Sequence, residues 1–217
     1  MRAPVTVIIP CLNSAHQIVP LAGQLYDGVS AGVISRLILA DGGSQDDTRD
    51  LANELGAKFI QTAPGRGVQL AAACAQVHSD WLLILHADSC LPDGWIDAVK
   101  KALRDPGFAH YFDLRFDAQG IAPRWTAGWA NLRSRIFGLP YGDQGLLVPR
   151  TLYGAVGGYP DQPLMEDVAM ARALKELQGA FAHALPQDQE DNIVISCCRL
   201  YQETAGRAGY DIRPLKV

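Results

Sequence analysis

The chain has 217 residues, 48% of them hydrophobic and 19% charged, a balance typical of a globular protein with its own core. Nineteen Lys and Arg stand against 23 Asp and Glu, and the net charge of −4 argues against a dedicated nucleic-acid binder. Apolar runs fall short of the roughly 18 residues of a membrane span, and Val5–Ile9 is too short for a signal-peptide core. We expect a cytoplasmic protein.

The first half of the chain alternates short apolar runs with amphipathic ones. The apolar runs predict strands at Val5–Ile9, Leu37–Ala40, Lys58–Ile60 and Trp81–Leu85. Helical patterns lie at Ser14–Tyr26, Asp46–Leu55, Gly67–Val77 and Asp93–Arg104. This β-α-β-α order predicts an α/β fold with a mostly parallel central sheet flanked by helices.

The pattern changes after about residue 105. Strands are predicted at Phe108–Phe116, Gly145–Pro149 and Ala180–Leu185, and helices at Arg124–Phe137 and Met165–Leu177. We expect a single domain over residues 1–217. Its nucleotide-binding half is 1–105, its acceptor and catalytic half is 106–200, and a tail follows at 201–217.

The predicted helix at 124–137 carries large apolar residues at spacings of four, three and four: Trp125, Trp129, Leu132 and Ile136. Such a stripe is typical of a helix that packs on the core. The helix also carries Arg124, Arg133 and Arg135, and Trp together with Arg fits docking at a membrane surface. Both interpretations stay open.

Polar residues follow the predicted strands at their carboxyl ends, where open α/β sheets bind ligands. Asp41 follows the second strand directly, with two glycines behind it, and can accept hydrogen bonds from ribose or a base. Asp88 follows the very apolar run Trp81–Leu85, and a hard cation bridged to a diphosphate would partner its charge. Turn or cap roles are the alternatives for both acids, and we expect Ser44 and Asp47 to be helix caps.

Two further positions can carry charge chemistry. Arg66 lies between two glycines just before a helix, a setting that suits a phosphate or a planar base but also a surface turn. Glu166 and Asp167 open the helix at 165–177. There, acids are favoured by the helix dipole, and one of them could equally act as a general base.

Taken in order, these motifs resemble glycosyltransferase family 2 over residues 4 to 200. The residues that carry the resemblance are Val7–Asn13, Ala40–Thr48, Leu85–Asp88 and Glu166–Asp167. It implies a GT-A fold, a nucleotide-diphospho-sugar donor and a divalent metal, Mg²⁺ or Mn²⁺. Gly65–Leu70, Leu85–Ser89 and Tyr141–Gly145 are similar to a bacterial subgroup labelled glycosyltransferases of arsenosugar biosynthesis.

The resemblance also implies roles for individual residues. The nucleotide would be bound by Pro10, Asn13, Asp41, Arg66, Ala87 and Asp88. Asp88 would hold the metal, although His86 replaces the first acid of the family's D-x-D motif. The catalytic pair would be Asp167, as base, with Glu166. Asp143 and Gln144 would lie beside the acceptor or the donor sugar.

The expected activity is therefore inverting transfer from a nucleotide sugar, most simply a UDP-sugar, to a small-molecule or lipid-linked acceptor. The replacement at His86 keeps open a non-catalytic nucleotide-sugar-binding protein, such as a sensor or partner subunit. A sugar-1-phosphate nucleotidyltransferase is disfavoured because residues 10–14 lack a Gly-rich basic loop. Peripheral contact with the inner membrane face depends on the Trp and Arg helix.

Overall fold

The structure of the protein is a computed structural model that describes residues 3–116, 121–160, 162, 165–177 and 194–197. The strands are β1 Val5–Cys11, β2 Ile34–Asp41, β3 Lys58–Gln61, β4 Trp81–Ile84, β5 Ser89–Cys90, β6 Asp113–Phe116, β7 Leu146–Pro149 and β8 Val194–Cys197. The helices are α1 Ala15–Ser30, α2 Thr48–Glu54, α3 Arg66–Cys74, α4 Trp95–Ala102, α5 Ile121–Phe137, α6 Arg150–Ala155 and α7 Glu166–Glu176, with a 3₁₀ turn at Gly142–Gln144.

The main sheet has the strand order β3-β2-β1-β4-β7. The first four strands in this order run parallel, and β7 pairs antiparallel with β4. The predicted mostly parallel sheet is confirmed. Because β2 and β4 flank β1, the segments that leave their carboxyl ends emerge at one edge of the sheet.

Both faces of this sheet are covered, which explains why its central strands are apolar almost throughout. On β1, Val7 and Ile9 face a core shared with α1, α2 and α4, whereas Ile8 faces a second core shared with α3 and α7. All three side chains have no solvent exposure. Successive side chains of a strand point to opposite faces, so a wholly apolar run is the expected pattern for such a sheet.

Strand β6 belongs to a second, smaller sheet with the order β5-β8-β6 and is shorter than the strand predicted there. Phe108–Phe116 is not one strand, since only Asp113–Phe116 forms β6. Ahead of it, the His110 backbone pairs with Leu147 of the main sheet, and the Phe112 N–H donates to the Gln144 carbonyl. The segment thus crosses from one sheet to the other. The strand predicted at 180–185 and the tail at 201–217 lie outside the described residues.

Helix α5 turns its apolar stripe toward solvent, so the interpretation as core packing is wrong. Its buried positions are small ones, including Ala130 and Ser134. Asn131 decides the orientation, because its side-chain amide accepts a hydrogen bond from the Leu114 N–H and donates one to the Leu114 carbonyl. These two bonds hold the helix against β6 with Trp125 on the outer side. No helix in the described ranges combines the length and hydropathy needed to cross a bilayer.

Candidate active site

Asp41 ends β2 and organises the loop that follows it. Its carboxylate accepts hydrogen bonds from the N–H groups of Gly43 (2.8 Å) and Ser44 (3.0 Å), and from the Ser44 hydroxyl. Gly43 has a φ of +102°, a conformation that a side chain would strain. Ser44 is therefore not the predicted helix cap, because its hydroxyl serves Asp41 and α2 begins only at Thr48.

The ends of β1 and β2 are fastened together. The Asn13 N–H donates to the Ser44 hydroxyl oxygen (2.7 Å), and the Asn13 side-chain oxygen accepts from the Gln45 N–H (2.8 Å). Pro10 lies opposite Ala40 in the register of the two strands. The sequence-predicted nucleotide residues Pro10, Asn13 and Asp41 thus lie together at the carboxyl edge of the sheet.

Helix α3 is attached to the same edge through Gln69, a residue that the sequence reasoning missed. Its side-chain N–H₂ donates to the carbonyls of Cys11 (2.8 Å) and Ala40 (2.7 Å), and the side chain is buried. A glutamine on the buried face of a helix was the available signal. Arg66 is the first residue of α3, less than one helical turn before Gln69, so these bonds also hold the start of the helix that carries Arg66.

Arg66 connects α3 to the start of α7. Its Nε lies 3.3 Å from Oε1 of Glu166, whose side chain is almost fully buried. Burial raises the pKa of Glu166 and the neighbouring Asp167 adds to the increase, whereas a backbone hydrogen bond and Arg66 act in the opposite direction. Glu166 therefore ties Arg66 in place across two elements that are 100 residues apart in the chain.

The segment at Gly142 brings three predicted residues together. The Gly142 N–H donates to Oδ2 of Asp167 over 2.7 Å. A Cβ atom added to Gly142 would lie 2.7 Å from Nε2 of His86, 3.2 Å from Nη2 of Arg66 and 3.3 Å from Oδ2 of Asp167. Oδ1 of Asp167 accepts the Val168 N–H over 2.7 Å. The loop after β4, the start of α3 and the start of α7 therefore meet at one point.

Asp88 and His86 are neighbours in the loop that leaves β4. Nδ1 of His86 lies 3.9 Å from Oδ1 of Asp88, and both side chains and the intervening Ala87 are buried. The described residues contain no group of three His, Cys, Asp or Glu side chains suited to hold a metal alone. Mg²⁺ in nucleotide sites commonly takes one or two carboxylates and completes its shell with phosphate oxygens and water. A single carboxylate at Asp88 fits a cation of that kind.

The 3₁₀ turn places Asp143 and Gln144 differently. Burial raises the pKa of Asp143, with Arg133 and Arg66 opposing the increase and Asp167 adding to it, so Asp143 shares the electrostatic field of the site. Gln144 is fully buried. Its side-chain oxygen accepts from the Ser134 hydroxyl (2.6 Å), and its N–H₂ donates to the Phe112 carbonyl (3.3 Å). This geometry gives Gln144 a role in shaping the turn and argues against the predicted contact with a sugar.

Residues 6–159 match the family described as Glycosyl transferase family 2. The chain belongs to that family. The matched range contains the strand ends, Arg66, the loop at residues 86–88 and the 3₁₀ turn, while Glu166 and Asp167 follow it within ten residues.

Two curated relatives of this family 2 chain carry names that refer to biosynthesis. A PGL/p-HBAD biosynthesis glycosyltransferase of Mycobacterium bovis BCG is 31% identical over 73% of this chain. The succinoglycan biosynthesis protein ExoA of Rhizobium meliloti is 32% identical over 48% of it. The matches span 64% and 38% of those proteins' own lengths. Neither name concerns arsenosugars.

Solved structures establish the fold of this family 2 chain as GT-A. Glucosyl-3-phosphoglycerate synthase from Mycobacterium tuberculosis, in complex with phosphoglyceric acid, has a TM-score of 0.64 at 19% identity and covers 93% of this chain and 74% of its own. The same enzyme with Mn²⁺, UDP and glucosyl-3-phosphoglycerate has a TM-score of 0.62 at 18% identity, with the same coverage. TarS from S. aureus has a TM-score of 0.61 at 16% identity, covering 89% of this chain and 60% of its own.

Proposed function

We propose that the protein is an inverting glycosyltransferase that moves a sugar from a nucleotide-diphospho-sugar, most simply a UDP-sugar, to an acceptor hydroxyl. The observation that carries the proposal is the meeting of His86, Arg66 and Asp167 around Gly142. Family membership supports it, and structural neighbours have been solved with UDP and with Mn²⁺ or Mg²⁺.

The donor would lie along the carboxyl edge of the sheet. Pro10, Asn13 and Asp41 would line the nucleoside pocket, where the bonds that stiffen the two loops lower the entropic cost of ordering them around a ligand. Arg66 would contact the base or the diphosphate. Ala87 and Asp88 would lie beside the diphosphate, and Asp88 would hold Mg²⁺ or Mn²⁺. When bound, such a cation would neutralise charge on the departing nucleoside diphosphate.

The acceptor would approach Asp167. The hydroxyl oxygen of the acceptor would form a bond to the anomeric carbon of the donor while the bond from that carbon to the diphosphate oxygen breaks. The proton of the acceptor hydroxyl would pass to the Asp167 carboxylate. Attack from the face opposite the leaving group inverts the anomeric centre. The N–H groups of Gly142 and Val168 orient the carboxylate, and each carboxylate oxygen retains further acceptor capacity. Glu166 would act through Arg66 as a positioning residue, and Asp143 would contact the acceptor or donor sugar.

The proposal also covers the acceptor class, the compartment and the subgroup of the family. The acceptor would be a small molecule or a lipid-linked one, and the activity would be cytoplasmic. The subgroup resemblance carried by Gly65–Leu70, Leu85–Ser89 and Tyr141–Gly145 stays a prediction, since the names of the relatives above do not mention arsenosugars.

Release of UDP or GDP from their sugars, in the presence of Mn²⁺ and a panel of hydroxyl acceptors, tests the proposal. The panel includes phosphoglyceric acid, because a structural neighbour binds it. We expect acceptor-dependent release of the diphosphate and a product of opposite anomeric configuration by NMR. Donor binding without release across the panel would favour the non-catalytic binding protein. Retention of configuration would contradict direct displacement with Asp167 as base.

A further inference from the structure

Helix α5 presents a continuous apolar face to solvent. The exposed fractions are 73% for Trp125, 59% for Trp129, 47% for Leu132 and 63% for Ile136, and Phe137 follows at 52%. The first four residues span three turns, or about 16 Å of helix. A groove of about 440 Å³ runs along this face beside Trp125, Trp129 and Leu132. Exposed apolar patches of this kind mark interaction surfaces.

The outward orientation of this face is held by contacts on the other side of the helix. Asn131 is bonded to both backbone groups of Leu114, and the Ser134 hydroxyl donates to the side-chain oxygen of Gln144 at 2.6 Å. Rotating α5 to bury its tryptophans would break these bonds and leave buried polar groups without partners. The fold therefore keeps the apolar stripe available for a partner outside the described core.

The charge around the stripe identifies the kind of partner. Ile121–Phe137 contains three arginines and no Asp or Glu, in a chain whose net charge is −4. Arg124 and Arg135 lie on the exposed side of the helix, and Arg115 is exposed on the adjoining β6. Arg135 also pairs with Asp113. Helices that lie in the interface of anionic bilayers typically carry tryptophan and aliphatic side chains flanked by arginine.

We propose that the exposed face of α5 docks the protein on the surface of an anionic lipid bilayer, with the helix lying in the plane of the interface. A second copy of the chain fits this face less well, because a symmetric pairing of two α5 helices would bring their arginines together, and Ile121–Phe137 contains no Asp or Glu to neutralise them. The anionic headgroups of a bilayer instead complement the exposed Arg124 and Arg115, whereas Arg135 is already paired with Asp113.

The same helix lies beside the candidate site. The guanidinium of Arg133 stacks 3.4 Å over the ring of Tyr141, and Tyr141 precedes the Gly142 that bonds to Asp167. Docking through α5 would hold the acceptor side of the site near the bilayer, where a lipid-linked hydroxyl is found. This consequence rests on the proposed function, whereas the docking itself does not.

Co-sedimentation with vesicles tests the docking. We expect the protein to bind vesicles of phosphatidylcholine mixed with phosphatidylglycerol, to bind phosphatidylcholine alone more weakly, and to be released by salt. The double variant Trp125→Ser/Trp129→Ser should lose binding by about tenfold or more, and Arg124→Gln by about fivefold. Tyr26→Ser and Arg36→Gln are matched controls, since both residues are exposed on other elements and should not matter.

Tryptophan fluorescence gives a second readout. Trp81 and Trp95 are buried, so a blue shift on adding anionic vesicles reports on Trp125 and Trp129. Calorimetry with UDP on each variant checks that the fold and the nucleotide site are intact, which separates failure of docking from failure of the proposed function. Absence of vesicle binding by the wild type would overturn the proposal. Self-association that the double variant abolishes, without vesicle binding, would assign the face to a second copy instead.

Discussion

Gly142 and Asp167 are joined by a 2.7 Å hydrogen bond from the backbone N–H of the first to the carboxylate of the second, across 25 residues of chain. The bond fastens the start of α7 to the turn before β7. The absence of a side chain at Gly142 leaves room for His86 and Arg66, since a Cβ atom there would lie 2.7 Å from Nε2 of His86 and 3.2 Å from Nη2 of Arg66. The hydrogen bond thus holds the Tyr141–Gly145 and Glu166–Asp167 motifs together, although they are far apart in the sequence.

Replacing Asp167 with Asn should reduce turnover and leave nucleotide affinity nearly unchanged. An amide cannot take the acceptor proton, and loss of a positioned base costs about 10²–10⁴-fold in rate. Release of the nucleoside diphosphate gives the rate, and calorimetry gives the affinity. Glu176→Gln, at the exposed end of the same helix, is the control and should retain activity. Full turnover by Asp167→Asn would show that another group is the base.

The substitution Gly142→Ala should damage the site more than the fold. The added methyl would lie 2.7 Å from His86 Nε2, so the His86 ring must shift, and the three nearest atoms all belong to side chains and not to the backbone. Misplacement of reacting groups by about 1 Å can cost about 10²-fold, so we expect a loss of that order in turnover with little change in melting temperature. Gly154→Ala, where nothing lies within 4 Å of the new methyl, should remain active. Equal activity of the two variants would contradict the proposal that His86, Arg66 and Asp167 form one site around Gly142.

Asp41→Ala should mainly weaken donor binding. The change removes the acceptor for the N–H groups of Gly43 and Ser44 and the carboxylate predicted to meet the nucleoside. Ser44→Ala removes only the hydroxyl part of this arrangement. If Asp41 contacts the nucleotide, the dissociation constant for UDP should rise by about tenfold or more in Asp41→Ala, and much less in Ser44→Ala. Equal effects would reduce Asp41 to a loop-forming residue.

Buried His110 should make stability depend on pH. Burial lowers its pKa from the usual 6.5, with Asp105 acting in the opposite direction. The unfolded chain therefore takes up a proton that the folded protein resists, so the contribution of His110 to the free energy of unfolding is fully present above pH 6.5 and is lost as the pH falls below it. Urea unfolding between pH 5 and 8 should show a smaller decrease in His110→Phe than in the wild type. Substituting the exposed His16 with Gln should leave the dependence unchanged. Identical pH profiles for the wild type and His110→Phe would refute this assignment.

The sheet could be predicted because its signal is local. Val5–Ile9 and Leu37–Ala40 lie within β1 and β2, since strands buried on both faces must be apolar at every position. Asp41 was marked by its place directly after such a run. The position of Glu166 and Asp167 in the first turn of a helix left a general base and a role in the helix dipole equally open, and the resemblance favoured the base.

The features that could not be predicted from the sequence depend on contacts between residues far apart in the chain. The stripe on α5 has the spacing of a buried face, but its residues are exposed and the bonds between Asn131 and Leu114 hold the opposite face of the helix against β6. Gln144 looked like a sugar ligand until its amide was found enclosed by protein donors and acceptors. The strand at Phe108–Phe116 was overextended because alternation of apolar residues does not reveal a crossing between two sheets.

Titration of UDP and GDP, with and without Mn²⁺, tests whether the strand-end residues form a metal-assisted site for a nucleoside diphosphate. We expect UDP to bind with Mn²⁺ and more weakly without it. In Asp88→Asn, Mn²⁺ should no longer improve the affinity, whereas the exposed control Asp93→Asn should behave as the wild type. Failure of both UDP and GDP to bind in the presence of Mn²⁺ would show that the strand-end residues do not form a nucleoside-diphosphate site.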